Sequence, residues 1–286
     1  MLEKNDMNNS KIAVVSCWFG QAPWYFHYFL HSCRFNPTID FYIITDLNLG
    51  PYQERDSENV KFVKSSLNEI KKIATKKLGF EVQLNSAYKL CDFKPTYGLL
   101  FSDILNDYDF WAHADIDIIY GDLRNFLTEE ILNKYDVISS RHDYITGSFC
   151  LFRNSTVINE LFSRSKDYVE VFTNQKNYCF DECNFLFKEL ENNASILDFN
   201  ENIQSMTHVV KKEELAGKIN AFFDFVIIEG TPGNIIWNSG KLYYKSEFEA
   251  MYYHLIKFKV THRPKSIPVP IPNKFAFTQN ELIFDI

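Results

Sequence analysis

The chain has 286 residues, 46% of them hydrophobic and 23% charged, and a formal net charge of −7. That length makes one large domain with an ample core, and the composition is that of a globular chain rather than a fibrous or disordered one. The acidic balance argues against a general nucleic-acid binder, which would carry a basic footprint, but leaves room for a nucleotide held through a metal. An aromatic share of 16% fits a thick core, sugar stacking or membrane-surface contact, and does not choose among them.

Residues 1–10 are polar and read as a disordered start. Residues 11–19 (KIAVVSCWF) form a β-branched apolar strand, ended by Gly20, Gln21 and Pro23. Pro23 suits the first turn of a helix over 24–34. A second strand at 40–45 closes on Asp46, and a third, short strand covers 59–63. A helix at 66–78 follows, with Ser65 or Ser66 as its cap. This alternation predicts βαβ units and a parallel sheet. No G-x-G-x-x-G loop follows the first strand, which counts against a dinucleotide site and a P-loop. The run 71–77 (KKIATKK) reads as a solvated helix face. Residues 87–105 look helical on both sides of an interruption at Lys94-Pro95, so Asp92, Phe93 and Lys94 fall at a kink or helix entry. Lys89 and Lys94 are then either surface lysines or groups facing a cleft.

The strongest signal is the stretch 108–123 (YDFWAHADIDIIYGDL). Phe110, Trp111, Ala112 and Ala114 are buried-strand material. Asp115 and Asp117 sit two apart, so on a strand they point the same way. The bland reading is a strand with one wet face. The functional one is a ligand site at the carboxyl end of a buried strand, where open α/β sheets place their sites. Two such carboxylates repel unless a cation lies between them, and Mg²⁺ or Mn²⁺ would serve. Removing one member of a repelling pair should cost the fold little.

Downstream, a helix at 123–135, a strand at 136–140, a turn at Gly147, a strand at 148–153 and a helix at 155–165 are expected. Asp181 opens an amphipathic helix running to about residue 190, where it is either an N-cap or a carboxylate aimed into the site. Past Ile196 the alternation loosens into short strands such as 222–228 and 241–245. Residues 265–272 (KSIPVPIP) read as extended and polyproline-like. The six cysteines lack C-x-x-C pairs and read as buried free thiols rather than zinc ligands. The apolar run 12–19 is too short for a secretory core, and nothing approaches the length of a membrane span, so a cytoplasmic protein with at most peripheral membrane contact is expected.

The run 88–98 (YKLCDFKPTYG), the Phe110-Trp111 pair with Asp115 and Asp117, residues 120–123 (YGDL), Gly147, Arg153-Asn154, residues 180–182 (FDE) and the late segment 251–254 (MYYH) followed by Lys257 and Lys259 form an ordered set. That set resembles a bacterial family of GT-A-type glycosyltransferases associated with capsule, O-antigen or lipooligosaccharide synthesis. The resemblance covers about residues 11–262. It implies an α/β, GT-A-like fold with a mostly parallel central sheet flanked by helices and a smaller irregular C-terminal part. It implies a single catalytic domain over 11–263, with a nucleotide-sugar half at 11–123 and an acceptor half at 124–263, followed by an extended tail at 264–286. By the same resemblance, Asp115, Asp117 and His254 hold Mn²⁺ or Mg²⁺. Ser16, Trp18, Phe19 and Asp46 surround the base and ribose, with Asp92, Lys94 and Asp115 at the donor sugar or diphosphate. Asp181 is the carboxylate near the acceptor hydroxyl. The implied donor is a nucleotide-diphosphate sugar, a UDP-sugar by family type, and the acceptor a glycan or lipid-linked glycan met at the inner face of the cytoplasmic membrane. Two other classes compete: a metal-dependent nucleotidyltransferase, and a non-catalytic component that binds a sugar nucleotide or glycan.

Overall fold

The structure is a computed structural model that describes residues 9–50, 52, 57–199, 203–264 and 266–284. Of the expected disordered start, residues 1–8 lie outside the described residues, while Ser10 is anchored. Its N–H and hydroxyl both donate to the Glu129 carboxylate, at 3.0 and 2.7 Å.

The first eight strands in chain order are β1 (Ile12–Trp18), β2 (Ile39–Thr45), β3 (Val60–Lys64), β4 (Phe110–Ala114), β5 (Ile118–Tyr120), β6 (Val137–Ser139), β7 (Phe149–Arg153) and β8 (Ala221–Phe222). All but β5 form the central sheet, in the order β3-β2-β1-β4-β7-β6-β8. β7 alone is reversed, antiparallel to both β4 and β6; the other pairings are parallel. The expected α/β architecture with a mostly parallel sheet is therefore observed.

Both faces of the sheet are covered, which is why its strands read as continuous apolar runs. Period two splits each strand between two cores. Ile12 and Val14 of β1, with Phe110 and Ala112 of β4, pack against α1 (Phe26–Arg34) through Phe26, Phe29 and Leu30. Ala13, Val15 and Trp111 face the other way, towards α2 (Leu67–Leu78) and the helical stretch 88–105. Ser66 caps α2 in a reciprocal box with Glu69, a device that contributes about 1 kcal/mol.

Several predicted helices are shorter or broken. The expected helix at 123–135 is a 3-10 turn, Leu123–Asn125, and a separate helix, Glu129–Lys134. The one at 155–165 divides into Thr156–Asn159 and Leu161–Arg164. The interruption at Pro95 is absorbed by a 3-10 helix, Tyr88–Thr96, that runs through the proline.

The C-terminal part differs most from expectation. β9 (Ile235–Asn238), β10 (Lys241–Tyr244), β11 (Phe248–Glu249), β12 (Tyr252–His254), β13 (Lys274–Phe277) and β14 (Leu282–Ile283) follow. Except for β12, they form a second sheet of antiparallel pairs, in the order β11-β10-β9-β13-β14. The expected strand at 222–228 is reduced to β8 and an isolated bridge between Ile228 and Tyr253. In the stretch expected as an extended tail, β13 and β14 are paired into this sheet. The cause is aromatic burial. Phe275 stacks on Trp237 with ring centroids 4.8 Å apart and packs edge-on against Tyr28 of α1.

β12 leaves that sheet and pairs antiparallel with β5, placing His254 opposite Ile118. Gly121 makes the approach possible, because a Cβ there would lie 2.5 Å from the Ala250 carbonyl oxygen. All six cysteines are free. Among the described residues, no helix is long and apolar enough to cross a membrane.

Candidate metal and substrate cleft

The sheet order fixes where a ligand can bind. From β1 the chain winds outward through β2 and β3, whereas β4 lies on the other side of β1. The strand order therefore reverses between β1 and β4, and such switch points open a crevice at the carboxyl ends of the strands. A cleft of about 550 Å³ lies there, within the usual range for small-molecule sites. Cys17, Trp18 and Phe19 line it from the end of β1, and Asp115, Ile116 and Asp117 from the end of β4.

Asp115 and Asp117 are not on the strand. β4 ends at Ala114, and the two aspartates occupy the turn into β5. One ligand atom from each, with one from His254, lie within 4.8 Å of one another. His254 arrives by the β5–β12 pairing, locked by hydrogen bonds from its own N–H to Ile228 O (2.9 Å) and from Leu255 N–H to Asp117 O (2.8 Å).

The two aspartates do not face each other as a repelling pair; each has its own cation. Lys94 Nζ lies 2.7 Å from Asp115 Oδ1, and Lys259 Nζ donates to Asp117 Oδ2 at 2.6 Å. His254 Nε2 is 3.4 Å from the same Asp117 oxygen. Burial alone would raise the Asp117 pKa, but the hydrogen bonds and charges of His254 and Lys259 hold it well below the usual carboxylate range. Burial likewise works against an imidazolium at His254, yet its hydrogen bonds to Asp117 and Glu229 prevail and push its pKa up to about 10.

Glu229 was not singled out in the sequence. Its Oε1 lies 3.1 Å from His254 Nδ1, and its Oε2 accepts from Arg141 Nη1 at 2.9 Å. Arg141 is in turn clamped by both oxygens of Asp143. This chain fixes the imidazole so that Nε2 faces Asp117, the orienting role that outer carboxylates play for ligating histidines. Two carboxylate oxygens and an imidazole nitrogen are a donor set that suits a divalent cation. The ammonium of Lys259 already satisfies the same demand for positive charge at Asp117, so the donor set fits a cation.

On the opposite side of Lys94 lies a second acidic group. Lys94 donates to Gly147 O (2.8 Å) and sits 3.5 Å from Asp181 Oδ2. The Gly147 N–H donates to Glu182 Oε1 at 2.8 Å. Burial raises the pKa of both Asp181 and Glu182. A side chain at Gly147 would force the acidic groups to shift, since its Cβ would meet Asp181 Oδ2 at 2.6 Å. The expected N-cap role of Asp181 is corrected, since the helix there is only Phe187–Glu191. Asn184 and Phe185 take left-handed backbone conformations, φ 53° and 64°, which stop a helix from starting at residue 180.

Asp92 is also corrected. It is fully buried, pairs with Lys89 at 2.7 Å and accepts from the N–H groups of Tyr178 and Phe180. Lys89 is buried with it and also donates to the carbonyls of Val171 and Lys176. This pair does not face the cleft; it holds the turn that delivers Asp181. Ser16 is buried in line with Ile12 and Val14, inside the sheet and away from the cleft, because β1 continues past it to Trp18. Trp18 and Phe19 do line the cleft. Asp46 lies at the end of β2, where its Oδ1 accepts from Gly20 N–H at 2.8 Å while the side chain stays exposed.

The profile of a family of unknown function (DUF6625) matches residues 14–285. No curated protein matches the chain. Solved structures that align with it include the glycosyltransferase GlyE of Streptococcus pneumoniae TIGR4, at 11% identity and a TM-score of 0.35, covering 75% of this chain and 45% of that one. The apo form of the same protein aligns at 14% identity and a TM-score of 0.37, covering 74% and 45%. The apo form of mouse xyloside xylosyltransferase 1 aligns at 8% identity and a TM-score of 0.44, covering 89% and 100%. The chain thus spans less than half the length of the GlyE structures. At these identities and TM-scores the likenesses are too distant to carry a function.

Proposed function

The chain belongs to DUF6625, a family of unknown function, and from the geometry of its cleft we propose that it is a metal-dependent glycosyltransferase of GT-A type. It would move a hexose from a nucleotide-diphosphate sugar, with uridine as the base, to a glycan or lipid-linked glycan acceptor. The reading extends to bacterial surface polysaccharide or lipooligosaccharide synthesis, at the inner face of the cytoplasmic membrane. The observation that carries it is the convergence of Asp115, Asp117 and His254 at the switch point of a parallel sheet.

In this reading Asp115, Asp117 and His254 hold Mn²⁺ or Mg²⁺, which when bound neutralises charge gathering on the departing diphosphate. Glu229 keeps His254 in the ligating orientation. Lys259, which now pairs with Asp117, would supply an ammonium for the diphosphate. Trp18 and Phe19 flank the base, and the free oxygen of Asp46 accepts from the ribose. Lys94 ties the donor side at Asp115 to the acceptor side at Asp181. Asp181 is a buried carboxylate of raised pKa, suited to take the acceptor proton if the reaction inverts; if it retains, Asp181 positions the hydroxyl.

The test is a thermal-shift titration with UDP, GDP and CMP, each with and without Mn²⁺, on the wild type and Asp117→Asn. A ligand that binds only the folded form raises its stability with the logarithm of its saturation. Stabilisation by UDP that requires Mn²⁺ and disappears in the variant is expected. No stabilisation by any of the three removes the reading.

A further inference from the structure

Two exposed aromatic rings outside the Asp115, Asp117 and His254 cluster line the cleft together with its acidic groups. Tyr88 is 69% exposed and Phe185 51% exposed, and both line the cleft together with Asp181 and Glu182. Phe185 is not on the rim for want of a core. The residues around it, Cys183 and Leu186, are buried in a small cluster with Tyr144 and Leu190. The ring is held out of that cluster by backbone conformation: Asn184 and Phe185 both have positive φ. A bulky aromatic is an outlier there. The arrangement is locked, since Asn184 N–H donates to Cys179 O at 3.0 Å and its side-chain amide to Tyr178 O at 2.8 Å. Tyr88 stays exposed at the start of its 3-10 helix while Lys89 and Leu90 beside it are buried. Backbone kept in an unfavourable region at the edge of a cleft points to a ligand rather than to packing.

We infer that Tyr88 and Phe185 form an acceptor subsite that takes a pyranose ring by its C–H face. Ring C–H groups carry partial positive charge and pack on the electron-rich face of an aromatic side chain, while the sugar hydroxyls remain free. A ring held there presents a hydroxyl to Asp181 and Glu182, next to Lys94 and hence to the metal cluster. Nucleobase stacking is assigned elsewhere, because Trp18, Phe19 and Tyr25 line the cleft from the β1 side. The acceptor role of the subsite rests on the glycosyltransferase reading; its sugar affinity does not.

The experiment is saturation-transfer NMR on the full chain with methyl β-D-galactopyranoside and methyl β-D-glucopyranoside as probes, and with UDP plus diamagnetic Mg²⁺ as the donor-side control. Wild type, Phe185→Gly and Tyr88→Ala are compared. Transfer to the ring C–H protons is expected in the wild type, with roughly tenfold weaker binding in either variant and unchanged UDP signals. Phe185→Gly should also raise the melting temperature, since glycine adopts a left-handed backbone without strain; a lower melting temperature would show that the ring packs the fold and would overturn the inference. Equal pyranoside signals in all three proteins would overturn it too, as would UDP signals lost with either ring, which would make this the base platform. Pyranoside binding that depends on Phe185, in a protein that no nucleotide stabilises, would keep the subsite and remove the glycosyltransferase reading.

Discussion

Replacing Asp117 with asparagine separates the observed site from a simple repelling carboxylate pair. If Asp115 and Asp117 only repelled each other, the change would be neutral or stabilising. Instead Asp117 is the buried counter-charge of both His254 and Lys259. The pKa of His254 is pushed up to about 10, from an ordinary value of ~6.5. At ~1.4 kcal/mol per unit that shift corresponds to at most about 5 kcal/mol, of which ~4 is realised at pH 7. The substituted amide would still accept a hydrogen bond, and Glu229 would still face Nδ1, so about half should be lost. The pair with Lys259, whose side chain is partly exposed, adds no more than ~1 kcal/mol, and relief from burying the carboxylate offsets a similar amount. A loss of about 2 kcal/mol at pH 7 is therefore expected in metal-free protein, lowering the melting temperature by roughly 4–8 °C. The sign with pH follows from a raised folded-state pKa. The contribution is fully present below ~6.5 and fades as pH climbs through about 10, where folded His254 gives up its proton. Urea unfolding of both proteins at pH 7 and pH 10, in chelator, measures this. Equal midpoints at pH 7, or a gap that does not narrow by pH 10, would refute the assignment.

Two further outcomes are expected. Glu229→Gln should weaken Mn²⁺ binding by roughly 10- to 100-fold in calorimetry or paramagnetic resonance while the protein stays folded, because only the orientation of His254 is loosened; unchanged affinity would remove Glu229 from the site. Gly147→Ala should depress kcat far more than it weakens UDP binding, since the added Cβ meets Asp181 Oδ2 at 2.6 Å and disturbs the acidic side first; a matching loss of donor affinity would place Asp181 on the donor side.

What could be read from the sequence was whatever depends on near neighbours. The strands of the parallel sheet were legible because burial on both faces makes each a continuous apolar run, and Asp115 and Asp117 because they sit at the end of one. The partners that define their chemistry were not. Lys259 meets Asp117 across 142 residues of chain, and no local pattern marks Glu229. Nothing local marks Lys89 as buried, since lysine is almost never fully buried unless paired; its partners Asp92, Val171 O and Lys176 O become visible only in three dimensions. Asp181 carries a genuine N-cap signature, defeated by left-handed conformations that Asn184 tolerates and Phe185 would not be expected to adopt. β13 was hidden behind the proline-rich run before it, and KFAF, buried from Phe275 to Phe277, is too short an apolar run to mark a strand by periodicity.

The charges of the cleft bear on how a metal would enter. Among the cleft-lining groups, four carboxylates, Asp115, Asp117, Asp181 and Glu182, stand against the ammoniums of Lys94 and Lys259 and the imidazole of His254. Each carboxylate of the D-x-D turn already has a lysine, so on the proposed reading a metal would not meet bare negative charge; it would have to compete with Lys259 for Asp117 and with a proton for His254. Both competitors would lower the affinity for metal alone, and a metal taken up at Asp117 would release Lys259. A diphosphate arriving with the metal would engage that freed ammonium, so metal and nucleotide should each favour the other, by the same factor in either order of binding. Lys94, by contrast, is buried between Asp115 and Asp181. That leaves Lys259, on the partly exposed segment after β12, as the one cation among these cleft-lining groups with the freedom to change partners.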